Sequence, residues 1–131
     1  MEDVKIDERD TYTIYDDQSI GKVQIADEVV AIIAGLAATE TEGVASMNGH
    51  ITNELVQRLG KKNLSKGVRI EVTDGVVHVD LSLYLKYGYS IPETSAQVQE
   101  KVKTAIENMT GLTVSEVNIS IAGVDVEKAK D

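Results

Sequence analysis

The chain has 131 residues and a formal net charge of −9 at pH 7, and it contains no cysteine, phenylalanine or tryptophan. The length predicts one domain, and the missing cysteine excludes disulfides, thiol nucleophiles and thiolate metal sites. The acidic balance disfavours binding to nucleic acid and anionic lipid, because charges of the same sign repel. Because phenylalanine and tryptophan are absent, the core must be built from Val, Ile, Leu and Ala.

Both ends of the chain are predicted to be tails. Residues 1–19 are polar and acidic and show no clear periodicity, which is typical of a flexible acidic tail. No basic region there leads into an apolar run, so we expect no secretory signal. Residues 127–131 are a second, short tail, and a single folded domain is predicted over residues 20–126. Three side chains could give the first tail partial order: Tyr12, Ile14 and Tyr15.

The folded domain is predicted to open with a strand and a helix. Residues 21–25 alternate polar and apolar side chains, as a short strand does. Asp27 then lies in or before the first turn of a helix, where a carboxylate suits the positive end of the helix dipole. The apolar run 29–38 within this helix is about half as long as a membrane span. Its predicted buried face is the row Val29, Ile32, Ile33, Leu36 and Ala37.

A β-hairpin is the strongest local signal in the chain. Before it, residues 43–47 predict a short strand and residues 52–60 a short helix. Asp74-Gly75 then forms the preferred pair for a two-residue turn within residues 68–85. Such a turn places every apolar residue of the first strand opposite an apolar partner, and a slip of one residue would destroy this match. The predicted pairs are Thr73 with Val76, Val72 with Val77, Ile70 with Val79, and Val68 with Leu81.

A long helix and a last strand complete the predicted fold. Ser90 and Glu93 match a capping box, and Gly111 suits the left-handed residue that ends a helix. Residues 112–126 alternate and predict the final strand. The elements together predict an α+β fold, a two-layer sandwich in which a mostly antiparallel sheet has helices packed on one face. The predicted buried row of the long helix is Val98, Val102, Ala105, Ile106 and Met109.

The sequence offers little support for catalysis, a metal or a cofactor. His78, Asp80 and Ser82 share one face of a predicted strand, but a catalytic triad needs the histidine between the acid and the nucleophile. His78 and Ser82 would also be roughly 13 Å apart along an extended strand. Neither His50 nor His78 has a second ligand at metal-site spacing. We therefore predict no enzyme, no cofactor and no metal, and a solvated face around His78.

Two segments are candidate interaction surfaces. A basic segment lies within residues 58–69, and it could contact the phosphates of RNA or an acidic protein surface. Nucleic acid is the less favoured partner, because no aromatic side chain for base stacking interleaves the basic residues. A cluster of tyrosines follows the hairpin, and it could bind a ligand or simply cover the end of the core with its hydroxyls in water. The residues concerned are Arg58, Lys61, Lys62, Lys66 and Arg69, and Tyr84, Tyr87 and Tyr89.

Three stretches, taken in order, resemble the alkaline shock protein family of Gram-positive bacteria, a general-stress and envelope-stress response family. They are "GKVQIADEVVAIIAGLAATETEGV", "GVRIEVTDGVVHVDLSLYLKYGYSIPE" and "VQEKVKTAIENMTGLTVSEVNISIAGV". The resemblance runs from about Gly21 to Val126, and the details that weigh most are Tyr87-Gly88, the segment 109–112 and Val117-Asn118. It offers no catalytic or ligand residues to carry over.

The resemblance implies a functional class. Family members are small cytoplasmic proteins without a known catalytic activity, they self-associate, and some gather at the inner face of the membrane through a membrane-anchored relative. We therefore predict a non-enzymatic, self-associating cytoplasmic protein that supports cell-envelope homeostasis or the stress response through protein–protein contacts. The expected partners are further copies of the chain and a membrane-anchored relative. The alternative is an RNA-binding module that uses the basic segment.

Overall fold

The computed structural model of the protein describes residues 11–17, 19–47 and 67–126. The predicted short helix at 52–60 and most of the basic segment lie outside these ranges, as do residues 1–10 and 127–131. The described elements, in chain order, are β1 (Thr11–Asp17), β2 (Gly21–Ala26), α1 (Asp27–Thr39), β3 (Val44–Met47), β4 (Val68–Thr73), β5 (Val76–Lys86), α2 (Ile91–Thr110) and β6 (Thr113–Asp125).

Strand β5 is the centre of a four-stranded sheet. Its first half pairs antiparallel with β4 and its second half antiparallel with β3. Strand β6 pairs with β5 in parallel from Val76 to Lys86. Because a strand has only two edges, β3 and β4 share one edge of β5, and β6 occupies the other. Among the described strands, the antiparallel pairings outnumber the parallel one, and the predicted α+β fold with a mostly antiparallel sheet is confirmed.

The hairpin of β4 and β5 has the register that the sequence predicts. Val72 lies opposite Val77, Ile70 opposite Val79, and Val68 opposite Leu81. Asp74 and Gly75 have φ values of 51° and 77°, and two consecutive positive φ angles are what a type I′ turn requires. The hairpin prediction is therefore confirmed residue by residue.

The ends of α2 also form as predicted. The Ser90 side chain accepts a hydrogen bond from the Glu93 N–H at 3.3 Å, which satisfies one of the free donors at the start of the helix. Gly111 has a left-handed conformation, and its N–H donates to the carbonyl of Glu107. Between these ends, α2 turns one apolar row towards the sheet, where Val98, Val102 and Ile106 are fully buried.

The core lies on one face of the sheet. Along β5, alternate side chains are buried and the intervening ones are not, so one face of the strand points to the helices and the other to solvent. Full burial of each large aliphatic side chain contributes about 1.5–3 kcal/mol. The largest fully buried side chains are Met47, Leu83, Leu85 and Ile106, which come from β3, β5 and α2. One layer of sheet and one layer of helix thus enclose a single aliphatic core.

The predicted buried faces of the two helices are wrong at one residue each. Val29 of α1 is 43% exposed and Met109 of α2 is 69% exposed. Apolar residues lie on nearly every side of α1, so the periodicity could not single out the side that is buried. Of the predicted row in α1, Ile33 is buried and Ile32 is partly buried. The residues that α1 buries are Val30, Ala31, Ile33, Ala34, Gly35 and Ala38.

Strand β1 lies within the stretch that the sequence predicts to be a tail. It pairs antiparallel with β2, and Ile14 packs against the core. Ile14 is one of the three side chains that were expected to give this stretch partial order. The turn between the two strands is closed locally, because the N–H and the hydroxyl of Ser19 both donate to the Asp17 carboxylate, at 2.9 Å and 2.7 Å. Residues 11–17 therefore belong to the folded domain.

Candidate functional site

The solvent face of the sheet has a polar cluster around His78. The Nδ1 atom of His78 lies 3.2 Å from Glu116 Oε2 and 3.1 Å from Ser115 Oγ. Next to it, the Asn118 side chain donates to Asp80 Oδ1 at 3.0 Å. Ser115 is an extra residue in β6, because the register with β5 shifts between the pair Val77–Val114 and the pair His78–Glu116. This bulge lets Ser115 and Glu116 both reach His78.

The cluster does not have the geometry of a catalytic triad. In a triad, the acid and the nucleophile bind different nitrogens of the imidazole. Here the serine and the glutamate both lie closest to Nδ1, and the His78 and Glu116 side chains are about half exposed. Asp80, which shares a strand face with His78, accepts a hydrogen bond from Asn118 instead. Within the described ranges, no three His, Asp or Glu side chains are placed to hold a metal ion.

Ser115, Glu116 and Asn118 were not predicted from the sequence to be neighbours of His78. They come from β6, and nothing local in the sequence shows that β6 lies beside β5 in parallel. The available signal was the row of polar residues on the solvent face of the last strand. That row indicates a solvent-exposed face of the strand, but it does not identify the neighbouring strand.

The three tyrosines of the predicted cluster occupy different surroundings. The ring of Tyr84 lies over Gly123 of β6, where an added Cβ would be 2.7 Å from the tyrosine Cε2 atom. The ring of Tyr89 packs against Gly43, and its hydroxyl donates to Glu42 at 3.3 Å. Tyr87 is mostly exposed. Two of the rings thus cover glycines at the end of the sheet, and a ligand-binding role for the tyrosines stays the alternative.

Arg69 is the one member of the predicted basic surface within the described ranges. It is exposed on β4, directly opposite Asp80 of β5. Both residues line a shallow, polar cavity of about 320 Å³ on the solvent face, together with Ser82 and Ser120. The other four residues of that surface lie outside the described ranges. They are Arg58, Lys61, Lys62 and Lys66. An anion-binding role for the segment stays a prediction.

An apolar groove is lined by residues of both helices, α1 and α2. It has a volume of about 450 Å³, and it includes the two residues that were wrongly predicted to be buried, Val29 and Met109. Glu40 is the charged residue in its lining. The remaining residues of the groove are Ile32, Ile33, Leu36, Ala37 and Ala105.

Polar side chains of α2 cover part of the outer edge of β6. Gln99 Nε2 donates to the Val117 carbonyl at 2.9 Å, and Lys103 Nζ donates to the Val114 carbonyl at 3.2 Å. The Glu107 carboxylate accepts the Val114 N–H at 2.9 Å and also binds Lys103 at 3.0 Å. Gln99, Lys103 and Glu107 are four residues apart, so they form one row along the helix. This row, the α2 polar row, satisfies backbone groups that a neighbouring strand would otherwise pair.

The second half of the β6 edge has no such cover within the described part of the chain. No described strand lies along the outer side of β6, and no described side chain donates to or accepts from the backbone beyond Val117 on that side. The outer edge of β4 is likewise without a described neighbouring strand. Exposed strand edges are places where another strand can add.

The pKa of Glu107 is held below its ordinary value, first because the Val114 N–H donates to the carboxylate and second because Lys103 binds it. A lowered pKa in the folded state means that the carboxylate stabilises the fold above its unfolded pKa, and that this contribution is lost as the pH falls. We therefore expect Glu107→Gln to lower the free energy of unfolding at pH 7. The difference in the free energy of unfolding between the wild-type protein and this variant should narrow below about pH 4.3, the ordinary pKa of glutamate.

Urea unfolding of both proteins at pH 7 and pH 3 measures this difference. Glu100→Gln is the matched control, because Glu100 is exposed on the same helix and makes no described hydrogen bond to β6. It should change little at either pH. A deficit of the same size for Glu107→Gln at both pH values would contradict the assignment.

None of the helices in the described part of the chain is long and apolar enough to cross a membrane.

Comparison with known proteins gives relatives that span most of the chain. Protein YqhY of Bacillus subtilis (strain 168) is 41% identical over 113 residues, which are 86% of this chain and 84% of that protein. YloU of the same organism is 36% identical over 108 residues, 81% of this chain and 90% of that protein. A stress response regulator gls24 homolog of Streptococcus pyogenes is 28% identical over 109 residues, 82% of this chain but 61% of that protein.

The fold and these similarities define a class of small α+β proteins with a cell-envelope or stress-response role. Residues 15–126 match the alkaline shock protein 23 family, whose function is described as cell envelope-related. The chain belongs to this family. The resemblance seen in the sequence is therefore confirmed.

Proposed function

We propose that the protein acts without catalysis, through contacts with other protein chains, and that it self-associates to support the cell envelope under stress. Membership of a family with a cell envelope-related function supports the setting. The observation that carries the proposed mode of action is that no described strand pairs with the outer edges of β4 and β6. An open edge offers a row of backbone donors and acceptors, which another strand can pair without any catalytic apparatus.

The proposed location is the cytoplasm, at the inner face of the membrane, where a membrane-anchored relative would hold the chain. This part of the proposal starts from the family and from the predicted absence of a membrane span. Recruitment by a partner fits a protein whose net charge of −9 opposes direct binding to anionic lipid.

Light scattering coupled to size-exclusion chromatography tests self-association. The full chain has a mass of 14.2 kDa, and we expect the measured mass to rise above this value as the protein concentration increases. An unchanged monomer mass at every concentration would contradict self-association. A titration with RNA at low ionic strength is the companion measurement, and salt-sensitive binding there would favour the basic segment as a phosphate-binding surface instead.

The envelope role needs a test in the cell. A strain that lacks the protein should become more sensitive to cell-wall or alkaline stress, and the full chain supplied from a plasmid should restore resistance. Unchanged sensitivity of the deletion strain would contradict the role in the envelope, whatever the result for self-association.

A further inference from the structure

We propose that the half of the β6 edge beyond Val117, which no described strand or side chain covers and which we call the open half, pairs antiparallel with the same edge of a second copy of the chain, with Ser120 at the centre of the contact. The inference rests on the proposed self-association and names the surface that carries it. The pair is symmetric, so both copies use the same residues, and this contact by itself ends at a dimer.

The direction of the backbone groups along β6 follows from the α2 polar row. In an extended strand, the N–H and the C=O of one residue point to the same side, and those of the next residue point to the other side. The carbonyl of Val117 points outward, because Gln99 binds it. Ile119 and Ile121 therefore also present their backbone groups outward, while Ser120 turns its own towards β5.

The chemistry of the open stretch favours pairing. Residues 117–124, "VNISIAGV", contain no charged side chain and no proline. Charged residues and prolines are the usual means by which edge strands avoid other chains. Strand β4, the other strand whose outer edge has no described neighbour, carries two charged residues, Arg69 and Glu71. In a chain with a net charge of −9, an uncharged edge of this length is where two copies meet with the least repulsion.

The register follows from the same positions. With Ser120 opposite itself, Ile119 of each copy lies opposite Ile121 of the other, and the two pairs exchange about four hydrogen bonds. The side chains of Ile119 and Ile121 are partly buried against the core, and each would gain a cross-strand aliphatic neighbour. Residues 118–122, which this register pairs, contain no carboxylate, so none faces another within the contact.

Two features confine the contact to this stretch. On one side, the α2 polar row already binds Val114 and Val117. On the other side, the register of β6 with β5 shifts at Ala122, which interrupts the alternation of outward groups. A second copy can therefore pair only around Ser120. A contact this short should be weak and strongly dependent on concentration.

A single engineered cysteine tests the geometry directly, because the chain contains none of its own. Residues opposite each other whose backbone groups point away from the contact have Cα atoms about 4.5 Å apart, which is within the range of a disulfide. We expect Ser120→Cys to form a covalent dimer under mild oxidation at concentrations where the wild-type chain associates. Thr73→Cys, on the exposed end of the β4 edge, is the matched control and should stay monomeric on a denaturing, non-reducing gel.

A charge exchange at the same position tests the energy of the contact. Ser120→Lys and Ser120→Asp should each weaken association at least tenfold, because like charges would face each other across the twofold axis. A mixture of the two variants should associate again. Thr73→Lys should leave association unchanged. Ser120 is exposed, so both substitutions should fold, and far-UV circular dichroism checks this.

The outcomes separate this inference from the proposed function. A wild-type chain that is monomeric at every concentration overturns both. A wild-type chain that associates, while Ser120→Cys fails to cross-link and Ser120→Lys associates normally, overturns only the β6 contact. Cross-linking of Thr73→Cys without cross-linking of Ser120→Cys assigns the contact to β4 instead. Cross-linking at Ser120, together with recovery in the Lys–Asp mixture, supports the inference.

Discussion

Replacing Leu83 with alanine should lower the free energy of unfolding by about 2–5 kcal/mol, because the side chain is 0% exposed and its removal leaves a cavity. Leu83 lies on β5, where Met47 of β3 is opposite on one edge and Ile121 of β6 on the other. Its loss therefore loosens three strands at once. Urea unfolding monitored by circular dichroism measures the effect.

The matched control for Leu83→Ala is Ile20→Ala. Isoleucine and leucine have the same number of carbon atoms, so both substitutions delete the same mass of side chain, but Ile20 is 79% exposed. It should change the free energy of unfolding by no more than about 0.5 kcal/mol. Similar losses for the two variants would mean that the core does not lie on the helix face of β5.

Gly43→Ala is expected to have the second-largest effect. Gly43 has a φ of +99°, and an added Cβ would lie 2.8 Å from Cδ2 of Tyr89 and 3.1 Å from Thr94. The backbone conformation alone should cost about 1–3 kcal/mol for a residue with a side chain. The contact with two side chains adds to this cost, because Gly43 is buried between β3 and the start of α2. Urea unfolding again gives the free energy.

Gly21→Ala separates the two causes. Gly21 has a similar φ of +114°, but apart from its chain neighbours no described atom lies within 4 Å of an added Cβ, so only the backbone cost applies. We expect Gly43→Ala to be clearly more destabilising than Gly21→Ala. Equal losses of stability in the two variants would show that Tyr89 and Thr94 move aside without cost. If these side chains do resist, the double variant Gly43→Ala with Tyr89→Ala should recover part of the stability that Gly43→Ala loses.

Local signals in the sequence were sufficient for the hairpin and for the ends of α2. The turn at Asp74-Gly75 needs positive φ angles that these two residue types tolerate, and it fixes the register of β4 and β5 without help from the rest of the fold. Ser90 and Gly111 act on backbone groups within one turn of themselves. Such features are readable because the cause and the effect lie within a few residues.

Features that depend on distant partners could not be read in this way. The apolar run of α1 fits burial on several sides, and the elements that α1 packs against decide that Val30 is buried and Val29 is not. The parallel pairing of β5 and β6 cannot be predicted from the sequence of either strand. The two shifts in the register of β6 near Ser115 and Ala122 are likewise invisible in its alternation, because a bulge depends on the strand opposite.

The same limit applies to the candidate interaction edge. The row Gln99, Lys103 and Glu107 looks in the sequence like an ordinary solvated helix face. Only the structure shows that its hydrogen bonds end on Val114 and Val117. These bonds cover the first half of the β6 edge, whereas no described side chain covers the second half.

The parallel pairing of β5 and β6 also has a consequence for the time course of folding. The strands β4 and β5 are joined by two residues, whereas the whole of α2 lies between β5 and β6 in the sequence. Contacts between distant parts of a chain form late, because the entropy of closing the loop must be spent before the contacts are made. We expect the hairpin to form early, and one side of β5 to stay unpaired on the ribosome until the last strand has emerged.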